Sequence, residues 1–85
     1  MDFVQYQTNF LNRLDDLSEV VINQEKRIHE IDQITKALYE SFVLGRIQEE
    51  KFLILDKSYD EEKMSLIRNI KKIQQDFDEL KKKQN

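Results

Sequence analysis

With 85 residues, 39% of them apolar and 36% charged, the chain has room for one small domain, near the size where a single core gives only marginal stability. A formal net charge of −3 argues against a main DNA-reading surface, because such surfaces carry a clear basic patch. The lack of cysteine excludes disulfides and thiolate zinc sites and fits a reducing compartment.

From the N-terminus onward, positions recur in alternating steps of four and three: Phe3, Gln7, Phe10, Leu14, Leu17, Val21, Gln24, Ile28, Ile31, Thr35, Leu38 and Phe42. Nine of these twelve are apolar, a rhythm sustained over more than five heptads, which predicts a helix with a coiled-coil seam over about residues 2–44. Tyr6, Val20, Ile34 and Tyr39 flank the seam and widen it, which suits packing against more than one neighbour. Gln7, Gln24 and Thr35 are the polar seam positions; such residues either fix register at a cost in stability or lie where the seam is open.

Gly45 is the only glycine, and there is no proline. Glycine takes the left-handed conformation that closes a helix at no steric cost, so a turn is predicted over about 45–48. With Gln48 as N-cap, Ile47 and Phe52 have the spacing of a hydrophobic staple, and Glu49 and Glu50 meet the positive end of the next helix dipole. Gln48 is a weak cap in place of Ser, Thr or Asp, and Lys51 cannot complete a capping box.

The second segment, about 49–83, carries Phe52, Tyr59, Leu66, Ile73 and Leu80 at seven-residue spacing. Ile70 and Phe77 fill the alternate layer in its second half, whereas Asp56 and Lys63 stand there earlier, with Ile54, Leu55 and Ile67 to the sides. That substitution predicts a register that drifts around Leu66. Lys81, Lys82 and Lys83 suit a helix C-terminus.

Two long helices joined by a short loop lie antiparallel, so the fold class is all-α, a two-helix coiled-coil hairpin with a tight glycine turn. At 1.5 Å per residue the arm is about 50–60 Å long. Residues 1–44 hold eight acids and four bases, residues 45–85 nine acids and ten bases, so the halves carry −4 and +1 and attract weakly. The first helix exceeds the second, and the surplus turns carry Phe3, Tyr6 and Phe10, an expected N-terminal packing surface.

No set of side chains for chemistry assembles along the chain. His29 is the only histidine, just off the seam, and has no catalytic or ligating companions. Asp15-Asp16 and Asp60-Glu61-Glu62 read as solvated faces, since helical neighbours one and two apart point in different directions. Lys71, Lys72 and the Lys81–Lys83 run read as exposed faces. There is no phosphate-binding glycine loop, zinc spacing or calcium loop. The expectation is a chain without catalysis, metal or cofactor. No apolar run approaches the roughly 20 residues that cross a bilayer, and Met1-Asp2-Phe3-Val4 lacks the basic start of a signal peptide.

The tip is the element with most to explain. Phe42, Val43, Leu44 and Ile47 crowd a turn that has little core left to bury them. They either pack locally or meet a partner, and Tyr39, Phe42, Val43, Leu44 and Ile47, with Arg46 at the rim, form the candidate contact surface around Gly45.

The stretch Leu38-Tyr39-Glu40-Ser41-Phe42-Val43-Leu44-Gly45-Arg46-Ile47-Gln48-Glu49-Glu50-Lys51-Phe52 resembles a segment of the large serine recombinases, the phage integrases and related transposases. In that family a Leu-Tyr-Glu run precedes a glycine, an isoleucine, acidic residues and a phenylalanine. Leu55, Tyr59, Leu66, Ile70, Ile73 and Leu80 are similar to the helix that follows. Ser41 stands where the family often has an acid, and Gln48 where it has Ser or Thr. The resemblance implies the coiled-coil arm inserted in the zinc-ribbon domain, with the catalytic serine and the DNA-binding domains elsewhere in a cytoplasmic, bacterial or phage-encoded parent. Its implied partners are the arm of another copy, holding DNA-bound dimers in synapsis, and a recombination directionality factor; DNA is bound by the parent and not by this segment. The alternative is a coiled-coil scaffold or oligomerisation module unrelated to recombination. A further alternative is a continuous helix pair between two chains, almost twice as long as a hairpin.

Overall fold

A computed structural model describes the backbone of residues 2–84 and the side chains of residues 13–82. Helix α1 (Asp2–Val43, 42 residues) and helix α2 (Glu49–Gln84, 36 residues) fold against each other as an antiparallel hairpin. The rod measures 66 × 16 × 14 Å, slightly longer than the expected arm. Phe3, Tyr6 and Phe10 fall outside the residues whose side chains are described.

Both helices are uninterrupted because proline is absent and the single glycine lies between them. α1 stops at Val43, one residue short of the expected end, because Leu44 already belongs to the turn. The Arg46 amide donates to the Ser41 carbonyl at 2.9 Å and the Gly45 amide to the Phe42 carbonyl at 3.0 Å. That pair of bonds is a Schellman closure with Gly45 at C′. Gly45 has φ of 75°, the left-handed region that side-chain-bearing residues pay to enter. The Phe52 amide then donates to the Gln48 carbonyl at 3.0 Å, the first bond of α2, which places Gln48 at the N-cap.

The seam of α2 does not drift. Phe52, Asp56, Tyr59, Lys63, Leu66, Ile70, Ile73, Phe77 and Leu80 are all buried or half-buried. Asp56 and Lys63 hold the alternate layer in place of apolar residues, so the heptad register runs unbroken past Leu66. Stepping back from the Phe42–Phe52 pair in the same rhythm sets Leu38 level with Asp56, Thr35 with Tyr59, Ile31 with Lys63, Ile28 with Leu66, Gln24 with Ile70 and Val21 with Ile73.

The Lys63–Asp32 ion pair agrees with that register, whereas Arg27 reaches about five residues along it toward the tip to meet Glu62. Lys63 Nζ donates to Asp32 Oδ1 at 2.6 Å. The lysine head leaves the seam for Asp32 while its methylene stem lies level with Ile31, which is only 1% exposed. Arg27 grips Glu62 with two bonds, Nε to Oε2 at 2.7 Å and a terminal nitrogen to Oε1 at 3.1 Å. Among the described residues only Ile31, fully buried, and Ile73, 8% exposed, form the buried core. Fully burying one such side chain contributes about 1.5–3 kcal/mol, so this thin core leaves little stability in reserve.

Candidate functional site

The closed end of the hairpin combines a rigid interior with an apolar exterior. Inside, the Phe42 and Phe52 rings stack at 4.7 Å with 15° between their planes, and Tyr39 leans on Phe52 at 6.3 Å and 59°. Such ring pairs contribute about 0.5–1.5 kcal/mol beyond the area they bury. They tie the last turn of α1 to the first turn of α2 where the core would otherwise run out.

Outside, Tyr39, Val43, Leu44, Leu53 and Ile54 are each between 54% and 65% exposed. Tyr39, Glu40, Val43 and Leu44 line a shallow groove on the α1 side. Single exposed apolar side chains are ordinary, but five grouped around one turn form the kind of patch that marks a contact surface.

The candidate residues named from the sequence divide into two groups. Tyr39, Val43, Leu44 and Arg46 are exposed, whereas Phe42 and Ile47 are half-buried and serve the turn itself. Leu53 and Ile54 were not singled out for the tip. Their signal was present in Phe52-Leu53-Ile54-Leu55, since four consecutive apolar residues cannot all face one seam of a helix.

Elsewhere among the described residues, several polar groups pair with one another. His29 is exposed, with its Nε2 3.1 Å from the Gln33 amide nitrogen. Glu62 departs from the expected solvated face: it turns toward α1, and the hydrogen bonds from Arg27 hold its carboxyl below the usual glutamate range against a smaller opposing effect of desolvation. The same bonds push Arg27 upward. Asp60 and Glu61 remain exposed. Among the described residues no group of three or more His, Asp or Glu side chains is arranged to hold a metal ion, and no helix is long and apolar enough to cross a membrane.

No protein-family model, curated protein or solved structure matches the chain.

Proposed function

We propose that the chain is a protein–protein interaction arm that presents its closed end to the arm of a second copy. The observation that carries this reading is the exposed set Tyr39, Val43, Leu44, Leu53 and Ile54 on a turn already fixed by its own hydrogen bonds and stacked rings. A long narrow hairpin suits the task, because it carries a small contact surface far from its base, and a weak contact becomes effective when its ends are tethered. The arm has no chemistry of its own in this reading.

The test is sedimentation over a wide concentration range of the 85-residue chain and of a Val43→Ser, Leu44→Ser variant. These two side chains are exposed, so the variant keeps its helix content by circular dichroism. Reversible association at least ten-fold weaker in the variant supports the reading, and equal association of the two chains removes the tip from it.

A narrower reading rests on the resemblance of Leu38–Phe52 to the large serine recombinases. There the arm would hold DNA-bound dimers together and take part in setting direction, with a directionality factor as second partner. The sequence flanking residues 1–85 in a longer parent tests it. Cysteine pairs on both sides and a resolvase-like domain upstream support it; flanks lacking both end it and leave the interaction arm intact.

A further inference from the structure

The outer face of α2 carries a pattern that, reversed, is complementary to itself. Asp60, Met64, Ile67 and Lys71 follow one another in steps of four, three and four, so they form one stripe along the helix. The two central residues are apolar and exposed, Met64 at 45% and Ile67 at 38%. An acid closes the stripe toward the tip and a base closes it toward the other end. Glu61 and Arg68 repeat the order beside it, and all four charged residues are exposed.

Among the described residues these charges form no ion pair. The ion pairs among the described residues are Arg27–Glu30, Arg27–Glu62 and Lys63–Asp32, and Asp60, Glu61, Arg68 and Lys71 take part in none of them. Between Glu62 and Asp76 α2 has no acid at all, while Lys63, Arg68, Lys71 and Lys72 are basic. The free acids and free bases therefore sit on opposite sides of the Met64–Ile67 centre.

We propose that this face pairs with the same face of a second copy, antiparallel, about a two-fold axis between Met64 and Ile67. Rotation about that axis sets Met64 against the partner's Ile67 and Asp60 against the partner's Lys71, each pair occurring twice as an isologous interface requires. Each charge lies about 8 Å along the helix from the axis, so acid and base meet at the same height. Glu61 and the partner's Arg68 fall on the same flank of the stripe, about 3 Å apart in height, which the long arginine side chain spans. On the neighbouring edge of α1 the charged groups are Glu25 and Asp32, and Asp32 is already bound by Lys63. A parallel arrangement in register would instead place like charges side by side, so the charge order selects the antiparallel one.

The surface is well below the roughly 800 Å² per partner of a standard interface, so association is weak, on the order of 0.1–1 mM for the isolated chain. This inference stands on residues separate from the tip and does not depend on it.

The experiment takes as its parent the 85-residue chain with Val43→Ser and Leu44→Ser, so that tip contacts do not mask the result, and adds to it two pairs of charge changes, Asp60→Lys with Glu61→Lys, and Arg68→Glu with Lys71→Glu. Each charge variant alone faces its own charge across the axis, so each associates at least ten-fold more weakly than the parent in sedimentation. Their equimolar mixture restores association, because every pair is then opposite in sign. A parent that stays monomeric to about 1 mM, a charge variant that associates as the parent does, or a mixture that gains nothing overturns the proposal. Cysteine probes give a second readout that leaves the charges in place, since the chain has no cysteine of its own. Met64→Cys cross-links at least ten-fold faster than Ser58→Cys, which is exposed away from the axis; equal rates overturn the proposal. Val43→Ser with Leu44→Ser leaves Met64→Cys cross-linking unchanged, which separates the two contacts.

Discussion

Gln24 shows how one residue can oppose the element that holds it. It occupies a seam position level with Ile70, and its Oε1 is shielded from solvent and accepts no hydrogen bond from the described residues. A shielded acceptor left unpaired costs about 1–3 kcal/mol. Leucine has nearly the same volume and no polar atom to satisfy. Gln24→Leu is therefore expected to stabilise the hairpin by about 1 kcal/mol, raising Tm by about 4–8 °C for a domain of this size. A thermal melt followed by circular dichroism checks it, and an unchanged or lower Tm means that the amide finds a partner in solution. The polarity of Gln24 was visible in the heptad count. Its unpaired oxygen was not, because that depends on which groups of α2 come level with it.

Between the two elements, the ion pairs do what the missing apolar residues cannot. Asp56 and Lys63 interrupt the apolar pattern of α2, and from the sequence that interruption reads as drift. The register holds because Lys63 does two jobs in one side chain, with its stem in the seam and its ammonium on Asp32. Glu62 similarly leaves the Asp60-Glu61-Glu62 run to meet Arg27. Neither choice can be read from one helix alone, since each depends on a residue some thirty positions away. The hairpin itself was legible, because a long three-four rhythm, one glycine and a second such rhythm leave few other arrangements.

The Glu62 contact also fixes a pH dependence. Arg27 lowers the folded-state pKa of Glu62 below its ordinary value of about 4.5. In the pH range between those two values the unfolded chain binds the proton and the folded chain does not, so lowering the pH favours unfolding. The pair's contribution is fully present above about pH 4.5 and is lost as pH falls through the depressed folded value. Carboxyl-carbon NMR of Glu62 is expected to show the depressed titration, and Arg27→Gln is expected to return it toward the ordinary value. A titration identical in both chains would mean that the two bonds do not persist in solution.

At the scale of the whole molecule, the turn decides between two ways of satisfying the same seam. Every contact between α1 and α2 can also form between two chains whose helices run straight through residue 45, giving an extended dimer nearly twice as long. Gly45 favours the hairpin on both sides of that balance. It takes the closed turn's φ of 75° without strain, where an L-residue costs about 1–2 kcal/mol. It also disfavours the open form, since glycine inside a helix costs about 1 kcal/mol relative to alanine. An added Cβ meets nothing within 4 Å, so Gly45→Ala changes the backbone preference and not the packing. The substitution shifts the balance by about 2 kcal/mol per chain, hence about 4 kcal/mol per dimer, a factor of roughly 1000 in the extended-dimer constant. Small-angle scattering of dilute unaltered chain should give a size consistent with the 19.3 Å Cα radius of gyration of the hairpin. For Gly45→Ala a species nearly twice as long should appear as concentration rises. If the variant keeps the hairpin's dimensions at every concentration, the stacked Phe42 and Phe52 rings and the Schellman bonds, not the glycine, hold the turn closed.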